Sequence, residues 1–194
     1  MKVAVGILAF HGDVSEHLDA TRRAAAKLNL DCRIAEVRTK QDLNGLGGLI
    51  IPGGESTHLY KLCMREGMLE KMKRVPKIFG TCAGAIMLAK KVHNTEEGQK
   101  TLGLMDIEID RNAYGSQVDS FEEDIGTRLG GIHAVFIRAP RIRKVGGRVT
   151  VLARREKEIL ACEESIGSHY YLAACFHPEL STTAFHEYFL GKLG

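Results

Sequence analysis

A chain of 194 residues can bury one substantial core and is short for two. With 44% apolar and 26% charged residues and a net charge of +3, it has the makeup of an ordinary globular protein and no extended basic field. The densest basic stretch, residues 138–148, contains Pro140 and two glycines and has no aromatic platform, so it reads as a solvated loop and not as a nucleic-acid face.

The opening run VAVGILAF (3–10) reads as a buried strand. It is too short for a secretory signal, and His11, Gly12 and Asp13 follow it without a small-residue cleavage pattern. Residues 14–28 predict a helix with Leu18, Ala25 and Leu28 among its apolar positions. His17, beside Glu16, is expected on that helix's surface. Residues 32–37 predict a second strand, and GGLIIPGG (47–54) a third that stops at Pro52. A helix over about 57–73, a short strand KIFG (77–80) and a helix over 83–91 complete the first half. Strands separated by helices indicate parallel β-α-β units, hence an open sheet with helices on both faces.

The second half predicts strands at 102–109, 132–137, 148–153, 158–162 and 169–175, joined by short glycine-containing turns. These are expected as antiparallel additions to the same sheet, with a closing helix near 182–191. The fold class is therefore α/β, a flavodoxin-like open sheet, mostly parallel with antiparallel additions. No linker or repeat divides residues 1–194, so one domain is expected. No stretch approaches a membrane span in length. Five scattered cysteines without a C-x-x-C pair fit neither a disulfide framework nor a zinc site, and suit a reducing cytoplasm.

GTCAG (80–84) lies between a strand and a helix and resembles a nucleophile elbow. There the side chain stands at the sheet edge and flanking glycines relieve crowding in the turn. A helix N-terminus favours thiolate, and the Ala83 N–H would serve as an oxyanion donor. Cys82 needs a base, and the base an orienting group. His177-Pro178-Glu179 offers both, because residues i and i+2 of an extended segment share a side and Pro178 stiffens it. His186-Glu187 is expected to be a decoy, since helix neighbours do not face each other. Cys175, in an apolar strand, is expected in the core. IPGGEST (51–57) follows a strand, and Gly53 or Gly54 would supply a second oxyanion donor. Ser56 or Thr57 would cap the next helix.

These pieces, in this order, resemble the class I glutamine amidotransferases, whose triad is Cys-His-Glu. PGGEST, GTCAG-x-I, RNAYGSQVDSFE (111–122), FIRAP (136–140) and FHPEL (176–180) together resemble the glutaminases of pyridoxal phosphate synthase. The resemblance implies that Cys82 attacks the side-chain amide of glutamine and forms a glutamyl thioester, and that His177, oriented by Glu179, activates the water that frees glutamate. It implies glutamine-binding roles for Gly54, Glu55, Ser56, Arg111, Ile137 and Arg138, and oxyanion donors at Gly54 and Ala83. It also implies a synthase subunit that accepts the ammonia, and a chain that itself binds no pyridoxal phosphate, metal or nucleotide. The pattern departs at LAFHG (8–12), where relatives read L-x-L-Q-G. His11 in that place is expected near the oxyanion loop and stands outside the catalytic set, although it is an alternative partner for the thiol.

Three rival readings remain. A glutaminase serving another synthase, for imidazole glycerol phosphate or anthranilate, would share the nucleophile and H-x-E logic but is disfavoured by PGGEST and RNAYGSQVDSFE. A non-enzymatic flavodoxin-like cysteine protein would leave the H-P-E segment without a purpose. A cysteine peptidase would need a peptide-binding groove, which nothing in the sequence suggests.

Overall fold

The computed structural model describes residues 3–95, 100–111 and 120–194. Residues 112–119, the middle of RNAYGSQVDSFE, lie outside the described residues. In chain order the elements begin β1 (Val3–Leu8), α1 (Val14–Lys27), β2 (Cys32–Val37), β3 (Gly48–Ile51), α2 (Ser56–Arg65), α3 (Leu69–Met72), β4 (Lys77–Thr81) and α4 (Ala83–Leu88). They continue with β5 (Ala89–His93), β6 (Met105–Asp110), β7 (Ser120–Thr127), β8 (Gly130–Ile137), β9 (Arg141–Val145) and β10 (Thr150–Arg155). The chain closes with β11 (Glu158–Ile166), β12 (His169–Ala174), a 3-10 turn Pro178–Leu180 and α5 (Ala184–Gly191).

The sheet runs β2-β1-β3-β4-β12 with parallel pairing, then β11-β10-β7-β8 with antiparallel pairing. β5 and β6 join through β9, which pairs with β11. The expected α/β sheet with a parallel core and antiparallel additions is thus the observed one. Several expectations change: β12 pairs antiparallel with β11 but parallel with β4, so it joins the two halves; β9 is a strand where 138–148 read as a loop; and β5 and β7 are strands that the hydrophobic pattern did not suggest.

Alternation along each strand divides the core in two. Leu49, Ile51 and Ile78 face the layer of α2, α3 and α4 with Leu59, Cys63, Met68, Met72 and Met87. Ile50, Phe79 and Leu172 face α1 and α5 with Ala24, Phe185 and Phe189. Phe79, Phe176, Phe185 and Phe189 pack ring to ring on this second face, with centroids 5.3–6.4 Å apart along Phe176–Phe185 and Phe185–Phe79.

Two helix boundaries and one helix face differ from the sequence pattern, each for a local reason. The helix expected over 57–73 breaks into α2 and α3 because Gly67 takes a positive φ of 63° that ends the first. The helix expected over 83–91 stops at Leu88, where the chain becomes β5 and pairs with β6. α1 buries His17, Ala20, Thr21, Ala24 and Ala25, a clean i, i+3, i+4, i+7, i+8 stripe, and Leu28 is exposed. His17 is therefore fully buried, and its expected surface position is corrected.

Glycines let the elbow approach the sheet closely. A Cβ on Gly84 would stand 2.0 Å from the Ile51 carbonyl oxygen, and one on Gly80 would stand 2.4 Å from the Gly84 backbone. Gly84→Ala is expected to cost about 1–3 kcal/mol, since backbone must move to admit the methyl. A thermal melt should fall by about 2–4 °C for each kcal/mol; an unchanged melt would contradict this packing.

Candidate active site

Parallel pairing brings the C-terminal ends of β1, β3, β4 and β12 to one edge, where open α/β sheets place their sites. Registers Ile51↔Gly80 and Thr81↔Ala174 set the 52–57 loop beside the Cys82 elbow and the elbow beside the segment leading to His177. Backbone bonds fix the arrangement. The Cys82 N–H donates to the Ala174 carbonyl, and the His177 N–H to Val135 of β8, each at 2.8 Å.

Cys82 has φ 49° and ψ −107°, a positive-φ conformation that a non-glycine residue holds only under constraint. This is the strained elbow that the glycine spacing suggested. The thiol is 5% exposed, and its Sγ lies 3.9 Å from the Ile137 carbonyl oxygen. His177 and Glu179 are buried side by side, with Nδ1 to Oε1 at 2.7 Å. Among the described residues His177 Nε2 is buried without a hydrogen-bond partner, and it is the ring nitrogen left for the thiol. Burial alone would lower the His177 pKa, but the Asp13 and Glu179 carboxylates at Nδ1, with Cys82 beside the ring, raise it. Burial works against the Glu179 carboxylate, yet His17 and His177 hold it well below the usual carboxylate range.

A cavity of roughly 330 Å³ opens at this edge. It is lined by Cys82 and His177 together with Gly54, Glu55, Ser56, Arg111, Ile137 and Arg138, so the separate sequence candidates converge on one place. Ala83 begins the helix behind the thiol. Arg138 has a positive φ of 44° at the cavity wall. A Cβ on Gly53 would stand 2.5 Å from His177 Cε1 and 3.3 Å from Cys82 Cβ, so only glycine fits there.

The α2 cap differs from expectation. Glu55, not Ser56 or Thr57, is the N-cap, accepting from the Thr57 N–H at 2.9 Å and the His58 N–H at 2.6 Å. Its carboxylate also pairs with Arg111, whose side chain is mostly buried. Those amides and that guanidinium outweigh burial and lower the Glu55 pKa.

His11 lies against Gly54 of the 52–57 loop and not on the thiol. A Cβ on Gly54, which has φ 116°, would fall 2.3 Å from His11 Nδ1, and the His11 ring packs near His58 at 5.5 Å. Burial, with His58, lowers the His11 pKa. Cys175 is buried in the core, as expected.

Sequence reasoning missed two partners of the triad. Asp13 Oδ2 lies 3.0 Å from His177 Nδ1, on the side where Glu179 also binds. His17, one helical turn further on, reaches Glu179 from behind. Both follow β1, and the parallel order alone would have placed that loop at the active edge. Asp13, His177 and Glu179 bring ligand atoms within 4.8 Å of one another. Both carboxylates approach the same ring nitrogen, though, which is the geometry of a shared proton more than of three donors turned toward an ion.

A strained cysteine at a strand-helix elbow, with a buried His-Glu pair at the same edge, defines a cysteine-nucleophile hydrolase or transferase of the α/β class. The comparisons narrow this class. Residues 7–193 match the model of the SNO glutamine amidotransferase family, and the chain belongs to that family. It is 42% identical to pyridoxal 5'-phosphate synthase subunit PdxT of Pyrobaculum arsenaticum, with 94% of each chain covered. It is 43% identical to the subunit of the same name from Oenococcus oeni, covering 98% of this chain and 96% of that one. A crystal structure described as a glutamine amidotransferase superposes with a TM-score of 0.83 at 43% identity, covering 98% of both chains.

Proposed function

We propose that this chain is the glutaminase subunit of a pyridoxal 5'-phosphate synthase, hydrolysing glutamine to glutamate and ammonia. The observation that carries the reading is the convergence of Cys82 and His177 at one cavity, with Glu179 bonded to His177 behind it, in a chain about as long as the relatives it matches. The Cys82 sulfur attacks the side-chain amide carbon while the thiol proton passes to His177 Nε2. The oxyanion of the tetrahedral intermediate takes the backbone N–H groups of Ala83 and Gly54. The imidazolium then gives its proton to the leaving nitrogen, and ammonia departs from a glutamyl thioester. Water deprotonated by His177 attacks the thioester, frees glutamate and restores the thiol.

Glu179 keeps His177 in the Nδ1–H form that this sequence requires. Arg111, held by Glu55, faces the cavity as the partner of a substrate carboxylate, with Ser56, Ile137 and Arg138 completing the walls. No step calls for a metal, a nucleotide or pyridoxal phosphate in this chain. The ammonia passes to a synthase subunit in a hetero-oligomer, and docking of that subunit switches the glutaminase on. One amidotransferase domain accounts for the whole chain. Among the described residues no helix is long and apolar enough to cross a membrane, and the five cysteines are unpaired, which supports a cytoplasmic location.

Glutamate release from glutamine, measured with and without a pyridoxal phosphate synthase subunit, tests the reading. Release that appears only with that subunit is expected. Release at full rate from the chain alone would remove the gating, and silence in both would overturn the assignment of partner and activity.

A further inference from the structure

Behind the triad lies a buried polar cluster that the hydrolysis just described does not use. His17 on α1 and His186 on α5 are both fully buried, packed against Phe79 at centroid distances of 6.4 and 5.5 Å. His186 Nε2 lies 3.0 Å from His17 Nδ1. His17 Nε2 lies 3.0 Å from Thr81 Oγ1 and 3.4 Å from Glu179 Oε2. Neither imidazole reaches the cavity that holds Cys82. Two buried imidazoles cost more desolvation than apolar side chains of similar size, so packing alone does not account for them.

The tautomers follow from the carboxylate. Glu179 Oε1 already accepts from His177, and Oε2 has no hydrogen bond of ordinary geometry. An ionised oxygen 3.4 Å from His17 Nε2 favours a proton on that nitrogen, shared with Thr81 Oγ1. His17 Nδ1 is then an acceptor, and His186 must donate to it from Nε2. This leaves His186 Nδ1 as a bare lone pair, and that atom is buried without a partner among the described residues. The opposite order would strand a buried N–H there, and would turn a lone pair of His17 toward the carboxylate. Burial also pushes the His186 imidazole down to about 3, which keeps it neutral in this role.

We propose that His17 is a positioning residue of the active site: its Nε2–H, with the tautomer fixed by His186, holds Glu179 Oε2 so that Oε1 stays aimed at His177. Glu179 is thereby clamped between two histidines, one toward the thiol and one toward the core. The inference rests on the glutaminase reading for its kinetic consequence and on geometry alone for its tautomers.

Two variants separate positioning from packing. His17→Met fills the space without a donor, and His17→Gln restores an N–H at about the reach of Nε2. In the complex with the synthase subunit, His17→Met should lower kcat about 10- to 100-fold, as for other groups that orient a catalytic side chain from behind, with KM for glutamine unchanged. His17→Gln should recover most of the loss. Equal loss in both variants, loss carried by KM, or no loss in His17→Met would overturn the proposal. Should the variants fail to fold, nitrogen-15 NMR of the histidine rings in the unaltered protein decides the matter. Nε2–H on both His17 and His186 is expected, and Nδ1–H on His17 would overturn the clamp. A protein that released no glutamate with its synthase would defeat the glutaminase reading, and the NMR result would still judge the clamp separately.

Discussion

Replacing Cys82 with alanine should abolish glutamine hydrolysis and leave the fold and the docking of the synthase subunit intact. In the proposed reaction the sulfur is the atom that forms the thioester, and no other cysteine offers a substitute. Cys32 and Cys63 lie on other elements, and burial pushes the Cys175 and Cys162 thiols up, the latter to about 12. The loss of kcat should be at least roughly 10³-fold, since removing a covalent nucleophile leaves only binding and oxyanion stabilisation. The alanine removes only the sulfur, while the elbow stays fixed by the backbone N–H bond to Ala174. Melting temperature and glutamine affinity should therefore stay near those of the unaltered protein. Glutamate release above the background of a mock preparation would contradict the assignment of the nucleophile.

His177→Asn should be nearly as damaging, by roughly 10³-fold or more, because in the proposed reaction the same ring takes the thiol proton, protonates the leaving nitrogen and activates water. Asparagine can still donate toward Glu179 and Asp13, so the two carboxylates, one of them buried, keep a partner and the protein should fold. It offers no basic nitrogen at the position of Nε2. The matching substitution at His11 is the informative contrast, because that ring touches Gly54 and His58 and not the thiol. Measured side by side, His177→Asn should lose turnover and His11→Asn should retain far more. The reverse order would make His11 the base and undo the triad.

The active edge was legible in the sequence because its parts are local. Gly80, Cys82 and Gly84 specify an elbow within five residues, and His177-Pro178-Glu179 specifies an acid-base pair within three. The parallel core was legible from strands alternating with helices. What the sequence concealed was long-range. Whether β12 runs parallel or antiparallel to its neighbour depends on pairing with β4, about ninety residues away in the chain, and hydrophobic pattern does not carry that choice. The face of α1 was misread because its buried stripe is built from His17, Ala20, Thr21, Ala24 and Ala25, residues that carry little hydrophobic weight. Leu18 packs at the margin of that face, and Leu28 is exposed beyond it. Glu55 was read for its family role and not as a helix cap, since glutamate is an uncommon choice at that position. Asp13 and His17 escaped for the same reason as β12, because their importance lies in what the fold sets against them.

The most direct test of the account uses a glutamine analogue with a diazoketone in place of the amide, which alkylates a nucleophile seated at the reacting carbon. The protein in complex with its synthase subunit is treated with the analogue and the adduct is located by peptide mass mapping. A single adduct on Cys82, prevented by excess glutamine, is the result this account predicts. An adduct on another residue, or labelling of Cys82 that glutamine does not prevent, would contradict it.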